Sequence, residues 1–277
     1  MDALPQLHLG DGAPVLPVGQ GTWFLGDDPA RRDEEIATLR TGVELGLALV
    51  DTAEMYGAGR SEELVGEAIA PIRDQVYLVS KVLPSNASEQ GTVKACEESL
   101  GRLGTDWIDL YLLHWPGPYP LEDTIRGFES LKSRGLIGDW GVSNFDTEDL
   151  RMLPVPPAAN QVLYNPASRG IEYDLLPAQR EAQQPIPVMA YSPIGQGELL
   201  DHPVLRDIAR QLGASVAQLL IAWSIRNPGV IALPKASQVS HVRDNARALE
   251  LQLGPEHTER IDAAFPAPQT KIPLEVI

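Results

Sequence analysis

An acid, a phenol, an amine and an imidazole occur in order in the first half of this chain: Asp51, Tyr56, Lys81 and His114. Three of them close short apolar runs, LALVD (47–51), VYLVSK (76–81) and IDLYLLH (108–114), and Tyr56 follows Asp51 by five residues. Such a set is suited to proton transfer. A phenol of pKa about 10 is a weak acid, and a neighbouring ammonium lowers that value by stabilising the phenolate. Asp51 would keep Lys81 charged and oriented, while His114 could donate a hydrogen bond to a reacting carbonyl or to the phenol oxygen. Each residue alone has a structural explanation: a strand-end Asp caps the next helix, a His beside Trp115 packs in a core, and a strand-end Lys reaches solvent. Recurrence at matching ends of successive strands favours one shared site.

The elements that must position these groups repeat a single pattern, an apolar run followed by an amphipathic stretch. Eight runs occur, at 15–21, 47–51, 76–81, 108–114, 139–144, 159–165, 186–192 and 229–235. Helical periodicity falls near 31–46, 60–70, 88–103, 121–134, 146–152, 173–183, 215–226 and 238–250, with two extra helical segments at 202–212 and 255–265. Runs such as VYLVS and LYLL are apolar on both faces, as parallel strands covered by helices are. Eight βα units in 277 residues predict one domain with a (β/α)₈ TIM-barrel fold, which takes about 250 residues. A doubly wound open sheet is the alternative, usually with fewer strands. Asp11-Gly12 between LHLG and APVL predicts an N-terminal hairpin across the barrel floor. In a barrel the chemistry sits at the C-terminal strand ends, where Asn144, Gln161, Asn165, Ser192 and Lys235 join the first set. Two of the five lysines therefore stand at strand ends, in a chain with seventeen arginines.

A formal charge of -16 argues against nucleic acid as a partner, because such binding draws on Lys and Arg neutralising phosphates. A lone cysteine, Cys96, and an opening MDALPQLHLG without a basic start or apolar run predict a reducing, cytoplasmic setting. The longest apolar stretches, such as LLIAW (219–223), are far below the roughly 18 residues of a membrane span, so no membrane association is expected.

The residues resemble the aldo-keto reductases across nearly the whole chain, through DTAEMYG (51–57), LVSK (78–81), DLYLLHWP (109–116), GVSNF (141–145), NQVLYNP (160–166), AYSPIGQG (190–197) and LPKAS (233–237). EMYGAGRSEELVGEA, SRGIEYDLL and the HVxxN ending are most similar to bacterial reductases of methylglyoxal and related small aldehydes. The resemblance implies that Asp51, Tyr56, Lys81 and His114 form a catalytic tetrad, with hydride passing from nicotinamide C4 to a carbonyl carbon while Tyr56 protonates the oxygen, without a metal. It implies NADPH as cofactor, bound without a Rossmann fingerprint, and no GxGxxG occurs here. Ser143, Asn144 and Gln161 match groups that bond the carboxamide, and Tyr191 the ring stacked on the nicotinamide. Thr22, Trp23 and Asp51 belong to the same cofactor set. Ser192, Pro193, Ile194, Gly195, Gln196 and Leu199 match a loop over the pyrophosphate, and Lys235, Ala236, Ser237, His241 and Asn245 the adenosine end.

One departure concerns that end. Where relatives often place two arginines near the 2′-phosphate, this chain has Gln238 and His241, so NADPH is favoured over NADH less decisively, through Lys235 and Ser237. Only a short segment separates His114 from the next helix, and few residues follow the last one. Trp23, Tyr56, His114 and Trp115 are therefore expected to line an open aromatic pocket for a small carbonyl substrate in a monomeric enzyme. Two other readings use parts of the pattern. A strand-end Lys in a barrel can form the Schiff base of a class I aldolase, although Asp51 opposes its deprotonation, and some relatives are channel-associated subunits that hold NADPH and turn over slowly. A glycosidase would need a second strand-end acid, and none is convincing.

Overall fold

The computed structural model describes residues 6–277. Eight parallel strands pair in chain order: β1 (Gln20–Gly21), β2 (Leu49–Asp51), β3 (Tyr77–Val82), β4 (Ile108–Leu113), β5 (Ile137–Ser143), β6 (Asn160–Leu163), β7 (Val188–Tyr191) and β8 (Val230–Leu233). The last returns to the first through parallel bridges Val18↔Ala232 and Gly21↔Lys235, with Gly19 N donating to Ala232 O at 2.9 Å and Gly21 N to Pro234 O at 3.1 Å. That closure excludes an open doubly wound sheet. The crossovers carry α1 (Arg32–Glu44), α2 (Arg60–Ile69), α3 (Glu89–Leu103), α4 (Leu121–Ser133), α5 (Thr147–Arg151) and α6 (Leu175–Glu181). Then come α7 (Pro203–Gln211), α8 (Val216–Ser224), α9 (Val239–Arg247) and α10 (Pro255–Ala264). α7 and α10 are the two additions to the eightfold count, and they pair through Arg260 and Asp207 at 2.6 Å. Among the described residues no helix is long and apolar enough to cross a membrane.

Strand periodicity decides what faces the barrel interior. Successive side chains alternate sides, and the registers Leu49↔Tyr77, Asp51↔Val79 and Lys81↔Leu112 align the inward rows. Low in the barrel these rows are apolar: Leu49, Tyr77, Val79, Leu110, Leu112 and Met189 form one buried cluster. Two residues further along each row, the same face carries Asp51, Lys81, His114, Gln161 and Tyr191. The alternate set, including Val50, Leu78, Tyr111 and Leu113, packs outward against Leu39, Leu64, Cys96 and Phe128 of the surrounding helices. Cys96 is buried, and desolvation pushes its thiol up to about 12.

The floor is sealed by the N-terminal segment, as expected, with a different turn. Leu7 and Val15 exchange two backbone hydrogen bonds of 2.8 Å, Leu9 and Val15 join the interior cluster, and Tyr77 Oη donates to Leu9 O at 3.1 Å. The left-handed residue is Gly10, at φ 57°, and not Asp11-Gly12; Gly12 N closes the turn onto Leu9 O at 3.2 Å. A Cβ at Gly10 would stand 2.1 Å from Asp139 Oδ2. The expected first strand, 15–21, contracts to Gln20–Gly21, because Val15 is engaged in the hairpin and Pro17 has no N–H to pair.

Helix spacing generates a prediction at two glycines. A methyl at Gly66 in α2 would sit 2.4 Å from Leu103 O, the backbone of the neighbouring α3, whereas one at Gly101 in α3 meets nothing within 4 Å. Gly66→Ala should destabilise by about 1–3 kcal/mol, the usual cost of overpacking. Gly101→Ala should stabilise by about 0.5–1 kcal/mol through helix propensity. Denaturant unfolding of both variants checks the opposite signs.

Candidate active site

Lys81 lies at the centre of the polar rows and is wholly buried. Its Nζ donates to Asp51 Oδ2 at 2.8 Å, to Thr52 O at 2.8 Å and to Tyr56 Oη at 3.1 Å, so all three ammonium protons have acceptors. Burial alone would drive the proton off this amine. The facing charge of Asp51, with Tyr56, overturns that and holds its pKa above the usual lysine value. No lone pair is free for a carbonyl, which removes the Schiff-base reading. The other carboxylate oxygen of Asp51 accepts from Gln161 Nε2 at 2.8 Å, across the barrel from β6. The Asp51 carbonyl accepts from Thr22 Oγ1 at 2.9 Å, and Thr22 Oγ1 in turn accepts from Ser61 Oγ at 2.8 Å. The Thr22 hydroxyl thus braces the end of β2, although Thr22 also lines the pocket above.

Tyr56 begins the short turn that leads into α2, and its ring meets His114 edge-on at a centroid distance of 5.8 Å. Burial raises the phenol pKa above its ordinary value; Lys81 pulls the other way and Asp51 reinforces the rise. The expected lowering by Lys81 is therefore present but outweighed, and Tyr56 keeps its proton. His114 is pushed down to about 2, first by burial and then by the Lys81 ammonium. It is a neutral imidazole with a buried Nδ1 that has no partner among the described residues. Glu54 fastens the loop carrying Tyr56: its Oε1 accepts from Leu83 N at 2.6 Å and Asn86 Nδ2 at 3.0 Å.

Above this cluster opens a pocket of about 480 Å³, within the range of small-molecule sites. One wall is a linked polar row. Tyr191 Oη donates to Asn144 Oδ1 at 2.9 Å, Asn144 Nδ2 donates to His114 O at 3.1 Å, and Ser143 Oγ donates to Gln161 O at 2.9 Å. Asn144 and Ser192 hold this row in left-handed backbone, at φ 57° and 49°, a conformation uncommon for non-glycine residues and concentrated at functional sites. Ser192, Pro193, Ile194 and Gln196 continue along one lip, and Lys235, Ser237 and His241 line the far end. Trp23 lies 6.4 Å from the Tyr56 ring and Trp115 4.8 Å from the His114 ring, centroid to centroid, and both line the pocket.

Four expected cofactor residues do not face this pocket. Leu199 is buried among Leu205 and Trp223, where it anchors the loop, and Gly195 supplies the left-handed bend above it at φ 57°. Ala236 and Asn245 are buried between β8 and α9. Phe24, Met55 and Ile277, which line the pocket, were not anticipated. Phe24 follows Trp23 and Met55 lies within DTAEMYG, and both are about half exposed, at 55% and 49%, which no periodicity signals. Ile277 arrives because the tail after α10 folds back, with Lys271 pairing to Asp146 at 3.0 Å and Asp174 at 2.9 Å. The pocket is therefore less open on that side than the short tail suggested.

This donor set fits a dinucleotide. Tyr191 offers a ring face beside the polar row, the Ser192–Gln196 loop could cover a pyrophosphate, and Lys235 gives a cation at the far end. Comparisons with known proteins agree with the geometry. A family model described as the aldo/keto reductase family matches residues 17–265. The methylglyoxal reductase YeaE of Escherichia coli K12 is 49% identical over 94% of this chain and 94% of its own. A crystal structure of an aldo-keto reductase from Klebsiella pneumoniae in complex with NADPH superposes with TM-score 0.95 at 47% identity, covering 99% of this chain and all of the other (100%). A second from that organism, in complex with NADP and acetate, gives TM-score 0.92 at 48% identity, covering 97% and 98%.

The Glu54 anchor yields a pH prediction. Burial raises its carboxyl pKa above 4.5, so the fold prefers the protonated form. That contribution to stability is present below about pH 4.5 and is lost as pH rises through the folded value. Glu54→Gln keeps an acceptor for Leu83 and Asn86 without the buried charge, and should melt above wild type at pH 7.5 but not at pH 4. Glu54→Ala, lacking the acceptor, should lower turnover several-fold while Glu54→Gln does not. Thermal melts at both pH values and steady-state rates check this.

Proposed function

The chain belongs to the aldo/keto reductase family, and from that premise we propose that it reduces small aldehydes and ketones, methylglyoxal among them, with NADPH as hydride donor. The observation that carries the reading is the single buried ammonium, Lys81, bonded at once to Asp51 and to the phenol that opens into the pocket. Ser143, Asn144, Gln161 and Tyr191 would hold the nicotinamide end. Ser192 to Gln196 would cover the diphosphate, and Lys235, Ser237 and His241 would receive the adenosine end. When bound, NADPH supplies the hydride.

The protein's own groups manage the proton. A carbonyl oxygen entering between Tyr56 and His114 meets two neutral donors held at the buried strand ends, and fixed donors of this kind stabilise developing negative charge. As charge builds on that oxygen, Tyr56 transfers its proton. The phenolate left behind sits 3.1 Å from the Lys81 ammonium, and that ion pair makes a phenol of raised pKa usable as an acid. Asp51 keeps the ammonium protonated and fixed. The aromatic and apolar rim, Trp23, Phe24, Met55 and Trp115, favours a short carbonyl with an apolar flank and offers no cation for a carboxylate. The likeness to methylglyoxal reductase YeaE supports this substrate class. The same reading has the enzyme work as a monomer in the cytoplasm, consistent with its lone buried cysteine. Slow, channel-associated binding is the lesser reading, since Lys81 bonds both Asp51 and the Tyr56 phenol, which supports turnover.

Tyr56→Phe should lower the turnover rate by about 10²–10⁴-fold, the range for loss of a general acid, and leave NADPH affinity within about twofold. Reduction of a carbonyl panel followed by NADPH absorbance, with binding measured by tryptophan fluorescence, checks both halves. Near-normal turnover in the variant would contradict the assignment of Tyr56.

A further inference from the structure

The far end of the pocket poses a charge problem. Gln238 and His241 supply no permanent cation there, and in a chain with 38 acidic against 22 basic residues long-range attraction for a phosphate is unfavourable. The sequence offered only Lys235 and Ser237 in compensation. The structure brings in a third group from the neighbouring βα unit, since β1 borders β8 where the barrel closes. Arg31, in the loop between β1 and α1, donates from Nη2 to Ser237 O at 3.2 Å across 206 residues of sequence. Ser237 lines the pocket together with Lys235 and His241.

Arg31 is unlike most other arginines here. Twelve of the seventeen are within 4.0 Å of a carboxylate. Among the described residues Arg31 has no such partner, and of the five unpaired arginines it alone hydrogen-bonds a residue that lines the pocket. Asp33 and Glu34, in the first turn of α1, make no ion pair with it within 4.0 Å, and the other nearby acids are engaged elsewhere. Asp27 pairs with Arg60 at 2.5 Å, Asp28 accepts from Ala30 N at 3.0 Å, and buried Glu35 accepts from Gly26 N at 2.9 Å. Pro29 and the Asp28 cap fix the short helical turn that carries Arg31. One donor of the guanidinium is used on Ser237 O, and the rest of the fork has no hydrogen-bond partner among the described residues.

Resting on the NADPH reading above, we infer that Arg31 reads the 2′-phosphate of the cofactor, the permanent forked cation that positions 238 and 241 do not provide. A guanidinium binds phosphate oxygens through paired N–H groups, so the contribution should fall on NADPH and spare NADH, which has a hydroxyl at that place.

The test is the dissociation constants of NADPH and NADH, by quenching of tryptophan fluorescence, in wild type, Arg31→Gln and Arg31→Lys. Arg31→Gln should weaken NADPH about 10- to 100-fold, the loss of a charged hydrogen bond, and change NADH by less than about twofold. Arg31→Lys should recover part of the NADPH affinity by restoring charge without the fork. Equal losses for both dinucleotides would mean that Arg31 only braces the turn at Ser237, and no loss for either would mean that it does not reach the phosphate; each result overturns the inference. If Arg31→Gln fails to fold, Arg31→Lys decides: several-fold weaker NADPH with unchanged NADH supports the role, and an unchanged ratio overturns it. Wild type that binds neither dinucleotide would instead overturn the cofactor reading itself.

Discussion

A lysine with no solvent exposure sits beneath the pocket, and the arrangement of the site follows from keeping it charged there. Moving an ammonium out of water costs several kcal/mol unless acceptors replace the water it loses. Here the acceptors come from three places: the carboxylate ending β2, the carbonyl just after it, and the phenol of the loop beyond. Asp51 is then held from across the barrel by Gln161. An open sheet could bring β2 beside β3, but only closure brings β6 to the same carboxylate. Fold and chemistry are thus coupled through one buried ion pair.

The barrel divides its labour along its axis. The floor is apolar, plugged by Leu9 and Val15, and held by backbone pairing and the Tyr77 hydroxyl. At the rim the backbone takes up conformations it would otherwise avoid. Among the described residues, the non-glycine positions with positive φ are Phe24, Ala58, Asn144, Ser192 and Gln196. Four of them line the pocket, and Ala58 lies two residues past Tyr56. Strain of this kind persists where surrounding structure over-determines it, and here that structure is the strand ends and the row running from Tyr191 through Asn144 to His114.

Much of this was legible in the sequence, for a physical reason. Asp51, Lys81 and His114 end strands whose two-residue period fixes the face they occupy, so type and spacing together placed them on one interior surface. The eight runs and the two surplus helices followed from the same periodicities. What escaped depends on contacts without a period. The hairpin bends at Gly10 because Asp139 crowds that point, a contact with β5. Leu199 turned into the core because the loop needs an apolar anchor. Ile277 reached the pocket through ion pairs of Lys271 with residues about a hundred positions away. The lowering of the Tyr56 pKa by Lys81 follows from their places at and just after neighbouring strand ends, but the depth of burial that outweighs it has no signature in the sequence.

Whether Lys81 acts through Tyr56 is the central claim, and a double-mutant cycle on kcat/KM for carbonyl reduction tests it most directly. If the ammonium serves to stabilise the phenolate, Lys81→Met should cost little further activity once Tyr56 is already Phe, and the double variant should be about as slow as Tyr56→Phe alone. Losses that multiply, with the double variant slower by the product of the two single effects, would show that Lys81 contributes independently of the phenol and would contradict the account.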